Sequence, residues 1–416
     1  MHHQLRSRTW CSSAMLLSLL ALRSVALAQP TITEYRNGLT PGGAPWGIAA
    51  GPDGAMWFTE YAGRIGRISL SGVITEYSAG LQAGDNPAEI AAGSDGALWF
   101  VASTSGFVQP RIGRISTAGV ITEFPITPAS WAGSYPCGIT LGPDGSMWFA
   151  DAVGGVGRIT TAGAIDQFTG GTLVNTSPQR IAVGPDGALW FTEASGSKIG
   201  RITTSGVLTE YSGAPGGTIG ITLGPDGAMW FTEPSADRIG RITMSGALTE
   251  YGGITTGSYP AAITVGPDGA LWFTEQGVGV SRIGRITTAG VITEYSSGLL
   301  PGSSPYDMAA GPDGALWFTD VGAHAIGRIA FPNAADVPAL SGWAMLLLAT
   351  LLAAVGRSCL AAPAKPGELR CWTGSSTGLR ENRDLAGDKP VGSRTGAVFR
   401  RFGLACCSPF PLGVPQ

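Results

Sequence analysis

The chain between residues 29 and 336 contains very little cysteine, lysine or histidine. It holds Cys137 alone of the six cysteines, Lys198 as its one lysine and His324 as its one histidine. A single cysteine excludes a disulfide framework, so the region must bury a core large enough to fold without one. One histidine leaves few ways to build a general base that works near neutral pH.

Positive charge is also scarce in this region. Residues 29–336 carry 25 Asp and Glu but only 14 Lys and Arg, a net charge of −11, while the whole chain has a formal charge of −3. An acidic surface argues against nucleic acid as a partner. The repeats described next have no helical spacing of apolar residues, which argues against an α-helical fold.

The region instead contains one motif, Pro-x-x-Ile-Ala-x-Gly-Pro-Asp-Gly-Ala-Leu-Trp-Phe-Thr-Glu, in seven copies that lie 40 to 49 residues apart. Self-similarity with this period is typical of a repeat architecture, in which one copy is too small to bury its own apolar face. The Trp-Phe pairs of the copies stand at 57–58, 99–100, 148–149, 190–191, 230–231, 272–273 and 317–318. Residues that recur in every copy are expected to be structural, and function is expected where the copies differ.

The copy that starts at Pro178 shows how one repeat folds. Turns at residues 184–187, 195–197 and 204–206 separate four short runs that are rich in β-forming residues. Pro and Gly favour the backbone angles that such turns require. Four strands joined by tight turns predict an antiparallel meander.

Seven such repeats predict an all-β fold, a seven-bladed β-propeller with four-stranded blades. An open solenoid is the alternative. The fourth-strand phrase Ile-Thr-Glu-Tyr first appears at residues 32–35, before any first strand, and the last repeat ends at residues 326–329 without it. We therefore predict that strand 32–35 completes the last blade and closes the ring, which removes the exposed edges of an open array.

Two charged positions recur in the copies, and both have structural interpretations. The Asp of Gly-Pro-Asp-Gly is expected to form a turn rather than bind a metal. The Arg of Ile-Gly-Arg-Ile is expected to pair with a neighbouring carboxylate or carbonyl rather than with a ligand. This Arg stands at Arg67, Arg114, Arg158, Arg201, Arg241, Arg285 and Arg328.

Residues 1–28 have the features of a secretory signal peptide. Arg6 and Arg8 form its basic region, residues 14–22 form an apolar core too short to span a membrane, and an Ala-Leu-Ala cleavage site ends at Ala28. These features predict an exported protein that is periplasmic, extracellular or held at the cell surface.

A second targeting signal follows the repeats. Residues 337–343 read Val-Pro-Ala-Leu-Ser-Gly-Trp, and an uncharged apolar run at 344–355 and then Arg357 follow. The segment 333–357 resembles the C-terminal sorting signals of the Val-Pro-x-Leu-Ser-x-Trp type that exosortase-like enzymes process. The resemblance implies transient membrane anchoring through 337–356 and a sorting transpeptidase as partner. A plain membrane anchor is the alternative, although the run is short of the roughly 20 residues that a span takes.

Residues 358–416 extend beyond the point at which such signals normally end. They have no repeats, and their composition shifts abruptly toward Lys, Arg and Cys. We expect a disordered tail, with an out-of-frame extension as the alternative.

A propeller has a central channel, and its antiparallel strands bring two positions of each repeat to the same end of that channel, called the mouth. One position is the acid that ends Trp-Phe-Thr-Glu. It is filled by Glu60, Ala102, Asp151, Glu193, Glu233, Glu275 and Asp320. Six carboxylates around a mouth would hold a divalent cation through oxygen ligands. Alternatively, each acid caps its own blade through backbone N–H groups.

The other position is the residue after the Pro that begins each repeat, or after Thr218 in the fifth copy. It differs from copy to copy, as a ligand-binding surface does. It is filled by Trp46, Ala88, Cys137, Gln179, Ile219, Ala261 and Tyr306, and Glu89, Arg180 and Asp307 stand next to it. Trp46 and Tyr306 become neighbours when the ring closes. With Asp307 and Asp320 close by, they make the best candidate pocket for a small molecule, peptide or glycan; exposed side chains without a function are the alternative.

The complete repeat, with Ile-Gly-Arg-Ile and Gly-x-Ile-Thr-Glu-Tyr after the motif, resembles the repeat of the streptogramin lyases, also known as virginiamycin B lyases. The resemblance covers residues 31–331 and all seven copies. It implies a carbon–oxygen lyase that opens a cyclic depsipeptide antibiotic by elimination at its ester. It also implies a histidine base and Mg²⁺ at the propeller mouth.

The positions that carry this chemistry in the family differ here. The family's Glu-Pro-His run, which ends in the catalytic base, is Ser304-Pro305-Tyr306 in this chain, and a second family histidine is Ala261. The substrate-facing tyrosine of the first blade is Trp46, and the metal-associated glutamate of the last blade is Asp320. The remaining catalytic candidates are Tyr306 and Asp320, and the candidate metal ligands are Asp320, Glu275 and Glu60.

Two hypotheses follow. Elimination next to a carbonyl needs a base whose pKa lies near the working pH, and both family histidines are absent. The first hypothesis is therefore an exported, monomeric binding or interaction propeller that keeps the lyase scaffold without its chemistry. The second is a Mg²⁺-dependent lyase of this family, or an enzyme with a relocated site built from Tyr306, Asp307, Asp320 and Glu275. A gluconolactonase-type hydrolase is a more distant alternative.

Overall fold

The computed structural model describes residues 29–332 apart from 105–109, 128–133, 154, 170–172, 174, 175 and 215. These residues form seven four-stranded antiparallel sheets, and each sheet is one blade of a β-propeller. The described part of the chain contains no α-helix, and its one 3₁₀ turn is Pro234–Ala236. The predicted all-β, seven-bladed fold is confirmed.

The strands of the first four blades follow one another in chain order. Blade one contains β2 (Pro45–Ala50), β3 (Met56–Glu60), β4 (Arg64–Ile68) and β5 (Ile74–Tyr77). Blade two contains β6 (Asp85–Ala92), β7 (Ala97–Thr104), β8 (Arg111–Ser116) and β9 (Ile121–Pro125). Blade three contains β10 (Pro136–Leu141), β11 (Met147–Asp151), β12 (Gly155–Ile159) and β13 (Ile165–Thr169). Blade four contains β14 (Pro178–Val183), β15 (Leu189–Glu193), β16 (Lys198–Ile202) and β17 (Leu208–Ser212).

The last three blades end with the one that takes a strand from the start of the chain. Blade five contains β18 (Ile221–Leu223), β19 (Met229–Glu233), β20 (Arg238–Ile242) and β21 (Leu248–Tyr251). Blade six contains β22 (Pro260–Val265), β23 (Leu271–Glu275), β24 (Arg282–Ile286) and β25 (Ile292–Tyr295). Blade seven contains β26 (Pro305–Ala310), β27 (Leu316–Asp320), β28 (Ala325–Ala330) and β1 (Thr31–Tyr35).

The ring closes through β1, as the sequence predicts. Strand β1 pairs antiparallel with β28, from Thr31 opposite Ala330 to Tyr35 opposite Ile326. Tyr35 stacks on Trp317 with ring centroids 5.7 Å apart. The fourth-strand aromatic of each of the other blades stacks in the same way on the Trp of its own second strand. The N-terminal strand therefore supplies what the last repeat lacks.

The Asp of each Gly-Pro-Asp-Gly turn holds that turn together. In blade one, Asp53 Oδ1 accepts hydrogen bonds from Ala55 N (3.4 Å) and Trp57 Nε1 (3.0 Å), and Oδ2 accepts one from Arg67 Nε (2.7 Å). Equivalent Asp–Trp and Asp–Arg contacts occur in all seven blades. Partial burial opposes ionisation of Asp53, but the bonds from Trp57 and Arg67 outweigh it and lower its pKa. Both structural interpretations of these repeated residues are confirmed.

Threonine hydroxyls join neighbouring blades at their inner edge. In blade one, Thr59 Oγ1 accepts a hydrogen bond from Gly47 N (2.9 Å) and donates one to Ala88 O of blade two. Blades four to seven repeat this bridge, and in blade seven Thr319 donates to Trp46 O of blade one (2.6 Å). The residues at this position in blades two and three are Val101 and Ala150.

The glutamates that end the second strands are buried beside a second acid. In blade one, Arg64 lies 3.5 Å from the buried Glu60 carboxyl and 3.7 Å from that of Glu76 on β5. Burial and the neighbouring Glu76 raise the pKa of Glu60 to about 8. Burial also raises the pKa of Glu193 and of Glu233 to about 7 and that of Glu275 to about 8.

Three predicted segments, the signal peptide 1–28, the sorting segment 333–357 and the tail 358–416, lie outside the described residues. Within 29–332, in the residues that the structure describes, there is no helix of the length and apolarity needed to cross a membrane.

Removal of packing at the closing strand is expected to destabilise the whole ring. Ile32 is 7 % exposed and packs in one cluster with Phe318 and Ile329. Ile32→Ala should lower the free energy of unfolding by about 2–5 kcal/mol, as for other buried Ile-to-Ala changes. Thr33→Ala, on the exposed face of the same strand, should change it by at most about 0.5 kcal/mol. Urea denaturation of both variants measures the difference, and equal effects would show that β1 contributes no core packing.

The buried glutamates should make the fold less stable in alkali. The folded state holds protons on them that the unfolded state, with pKa values near 4.5, releases. The stability that they contribute is thus fully present below pH 4.5 and is lost as the pH rises through 7 to 8. Scanning calorimetry should show a melting temperature that falls between about pH 5.5 and 8.5, and Glu60→Gln should reduce the fall. Asp166→Asn, at an exposed carboxyl, is the control; a melting temperature that rises over this range would contradict the argument.

Candidate functional site

The first strands of all seven blades line the central channel. In β2 the register with β3 shifts between Pro45 and Ile48, so Trp46 and Gly47 lie outside the regular ladder. Strands β6, β14, β22 and β26 shift at the equivalent place, and β10 shifts between its Pro and the second residue after it. A bulge redirects the side chains that it contains. The variable positions after the Pro in these six strands therefore differ in direction from the rest of the blade.

Trp46 and Tyr306 are in contact across the closure of the ring. Their ring centroids lie 4.0 Å apart at an interplanar angle of 40°, and Tyr61 lies 5.4 Å from Trp46. The two side chains are only 5 % and 8 % exposed and belong to one apolar cluster with Ala88. They form an aromatic wall rather than a freely exposed surface.

Arg180 of blade four reaches the two acids that were expected near the mouth. Its Nη1 forms ion pairs with the carboxylate of Glu89 in blade two and with Asp307 Oδ1 in blade seven, the latter at 3.0 Å. Its guanidinium carbon lies 5.9 Å from the centre of the Tyr306 ring. Asp307 Oδ2 also accepts a hydrogen bond from Ile48 N of blade one (2.8 Å). Two acidic side chains from different blades thus share one guanidinium.

The channel contains a cavity of about 140 Å³ at this ion-pair group. Its charged lining consists of Glu89, Arg180 and Asp307. Its apolar lining consists of Ile48, Ile139, Ile181, Ile221, Ile263 and Met308, with Gly220 and Ala262 between them. The six large apolar residues belong to the cores between the blades, so the surface that the cavity exposes is mostly polar.

The acids that end the second strands are not part of the cavity lining. Glu60 and Glu275 are fully buried inside blades one and six. Asp320 is also fully buried, and its Oδ1 accepts hydrogen bonds from Ser304 N (2.8 Å) and Ala323 N (2.7 Å). Asp320 Oδ2 accepts one from the Ser303 hydroxyl. Asp320 thus caps its own blade, and like the glutamates it lies beside another acid, Glu34 on β1.

These positions do not fit the Mg²⁺ site that the family resemblance implies. Mg²⁺ requires several oxygen ligands around one point. Both oxygens of Asp320 accept hydrogen bonds within blade seven, while Glu60 and Glu275 belong to other blades. Across the described part of the chain, no three or more His, Cys, Asp or Glu side chains are grouped so that they could hold a metal ion. We assign no metal-dependent step to these residues.

Ala261 and Ser304 occupy structural positions. Ala261 is 2 % exposed, and its carbonyl accepts the bridge from Thr232 of blade five (2.7 Å). Ser304 donates its N–H to Asp320, and its carbonyl accepts from Val321 N (3.1 Å). Neither residue belongs to the cavity lining, and neither do Trp46 and Tyr306, which lie next to the lining residues Asp307 and Arg180 only through their ring contacts and chain position.

Sequence reasoning singled out Glu89, Arg180 and Asp307 but did not predict that they meet, or that a cavity lies beside them. The repeats contain a sequence signal for this group, because Glu89, Arg180 and Asp307 occupy the same position in their copies. The other four copies have Gly or Ala at the same position, two residues after the start of the repeat: Gly47, Gly138, Gly220 and Ala262.

The fold and this site define a seven-bladed β-propeller with a small central cavity beside a group of three charged side chains. The family model described as "Virginiamycin B lyase family" matches residues 27–174 and 172–335. The chain therefore belongs to the virginiamycin B lyase family. A search of curated proteins found no match.

Solved lyases support the same assignment. A structure of streptogramin B lyase is 34 % identical over 74 % of this chain and 99 % of its own, with a TM-score of 0.65. A catalytically inactive His-to-Ala variant of virginiamycin B lyase from Staphylococcus aureus, solved with quinupristin, is 36 % identical over 73 % of this chain and 100 % of its own, with a TM-score of 0.65. The WD40 propeller domain of Doa1, at 12 % identity and a TM-score of 0.58, shares the fold alone.

Loss of the shared guanidinium is expected to destabilise the protein more than loss of a surface arginine. Arg180→Ala would leave the buried carboxylates of Glu89 and Asp307 without Arg180, at a cost of about 3 kcal/mol, the lower end for broken buried pairs. Arg238→Ala, which removes an exposed pair with Glu250, should cost under about 1 kcal/mol. Urea denaturation measures both changes. Equal costs would mean that the ion-pair group contributes no more than a surface pair.

Proposed function

We propose that this chain is an exported binding propeller of the virginiamycin B lyase family, which binds a ligand at its mouth without catalysing elimination. One observation carries the proposal. At the position that the resemblance assigns to the catalytic histidine, Tyr306 packs between Trp46 and the guanidinium of Arg180.

The chemistry of elimination requires a base that this arrangement does not supply. A base next to a carbonyl works best with a pKa near the operating pH, and tyrosine ordinarily has a pKa near 10. Tyr306 is 8 % exposed, and Asp320 directs both oxygens at donors of its own blade. Loss of general acid–base catalysis lowers the rate roughly 10²–10⁴-fold. These features favour binding without turnover.

The aromatic wall of Trp46 and Tyr306 and the charged group beside it favour a small molecule, peptide or glycan as the ligand. Aromatic walls with a few placed charges are typical of such sites. The solved S. aureus relative that contains quinupristin is itself catalytically inactive after one histidine change. A cyclic depsipeptide of this kind is therefore the best first probe of binding.

Export and membrane sorting are part of the proposal. The signal features of residues 1–28 support export, and the Val-Pro-x-Leu-Ser-x-Trp segment within 333–357 supports sorting by a transpeptidase. The net charge of −11 between residues 29 and 336 disfavours nucleic acid as a partner. We expect a monomer in the periplasm, outside the cell or at its surface.

Incubation with quinupristin, with and without added Mg²⁺, tests binding and chemistry separately. Quenching of tryptophan fluorescence should report saturable binding, because Trp46 lies in the proposed site. Mass spectrometry should find no linear product after prolonged incubation. Trp46→Ala should weaken binding at least about 10-fold, equivalent to 1.4 kcal/mol. Val207→Ala, an exposed apolar residue of blade four, should leave it unchanged.

A lyase is the second candidate, favoured by 34–36 % identity to two lyase structures over almost their whole length. It predicts linear quinupristin at a rate that Tyr306→Phe or Asp320→Asn abolishes. That result would overturn the binding proposal, and so would the absence of any saturable binding.

A further inference from the structure

We propose that Tyr61 is a ligand-contacting residue of the mouth, and that the part of the ligand that it contacts is an aromatic ring. The inference rests on the proposed function and deepens it, because it names a residue and a chemical group for the binding site. Tyr61 lies in the turn between β3 and β4, at the mouth end of blade one.

Three aromatic side chains are in contact where blade seven meets blade one. The ring centroids of Tyr306 and Trp46 lie 4.0 Å apart, and those of Trp46 and Tyr61 lie 5.4 Å apart. Tyr306 and Trp46 are 8 % and 5 % exposed, whereas Tyr61 is half-buried and is the most exposed of the three. A ligand that arrives from solvent therefore meets Tyr61 before the two buried rings.

Tyr61 is one of the positions at which the copies of the repeat differ. It directly follows the second-strand acid of blade one, and no other copy has an aromatic residue at this position. The residues there in blades two to seven are Ser103, Ala152, Ala194, Pro234, Gln276 and Val321. Six blades form without an aromatic side chain here, so the fold does not require one. A side chain that varies at the mouth of uniform repeats is typical of a ligand-binding surface.

The turn that carries Tyr61 is held to the loop that precedes β2. Tyr61 N donates a hydrogen bond to Ala44 O (3.0 Å), and Ala62 N donates one to Gly43 O (3.2 Å). Trp46 of β2 packs against the Tyr61 ring. A tyrosine side chain has only two torsions to fix, so a ring supported in this way loses little conformational entropy when it binds.

The surroundings of the Tyr61 ring favour an aromatic ring over a sugar. Val321 of blade seven packs against the same apolar cluster as Tyr61, and Ala44 and Ala62 adjoin Tyr61 along the main chain. None of these three side chains carries a group that could hydrogen-bond the hydroxyls of a sugar. Two aromatic rings, by contrast, attract each other beyond the effect of the area that they bury, because their quadrupoles are complementary in stacked and edge-to-face arrangements.

Isothermal titration calorimetry of the full chain with two probes that differ only in their ring tests the inference. The probes are N-acetyl-phenylalanine amide and N-acetyl-cyclohexylalanine amide, called the phenyl and cyclohexyl probes. We expect the phenyl probe to bind roughly 2- to 12-fold more tightly, although the cyclohexyl ring is the more apolar. Methyl β-glucoside, a third probe, should show no saturable binding. These comparisons require no substitution, so they hold even if a variant fails to fold.

Three substitutions then locate the binding. Tyr61→Leu keeps an apolar side chain but removes the aromatic ring, so it should abolish the preference for the phenyl probe. Tyr61→Phe keeps the ring and should retain the preference, which a purely structural role of the side chain would not predict. Val278→Ser removes a fully exposed apolar side chain from the mouth end of blade six and should leave both affinities unchanged.

Equal affinity for the phenyl and cyclohexyl probes overturns the inference, as does no binding of the phenyl probe or a preference that survives in Tyr61→Leu. Saturable binding of methyl β-glucoside that Tyr61→Leu abolishes would assign the residue to a glycan and overturn the aromatic-ring assignment. Quinupristin binding without a preference for the phenyl probe would overturn this inference alone and leave the proposed function standing. Selective binding of the phenyl probe at Tyr61 without any quinupristin binding would count against the choice of depsipeptide ligand alone.

Discussion

The threonine hydroxyl at the end of the Trp-Phe-Thr run, present in five of the seven blades, is the contact on which the closure of the ring and its mouth depend. It accepts a hydrogen bond from the bulged first strand of its own blade and donates one to a carbonyl of the next blade. Thr319 makes this bridge to Trp46 and so joins blade seven to blade one. One buried side chain thereby fixes the distance between blades and satisfies backbone groups that the bulge removes from the ladder.

This use of main-chain groups explains why scaffold and site can occupy one short segment. The bridge contacts only the backbone of the two residues after the repeat's Pro, so their side chains are free to change from blade to blade. Blade one places Trp46 there, blade four Arg180 and blade seven Tyr306 and Asp307. Chemistry therefore varies at the mouth while the ring stays constant.

The fold was predictable because each of its signals is local in the chain. The repeat period, the Gly-Pro-Asp-Gly turns and the strand phrase at residues 32–35 can all be identified from the order of the residues. The locations of the acidic side chains that end the second strands were harder to predict. The repeat places Glu60 at the mouth end of its strand, but the side chain turns into the blade because Arg64 and Glu76 lie there. No property of the motif alone distinguishes an acid that lines a channel from one buried beside a neighbouring strand.

Chain order alone establishes seven blades, closure by the N-terminal strand and the presence of a single histidine between residues 29 and 336, because each of these is a matter of which residue follows which. It does not establish that Arg180 meets Glu89 and Asp307. Arg180 and Asp307 are 127 positions apart and belong to different blades. An ion pair depends on distance in space, and only the closed ring brings these side chains into the same channel.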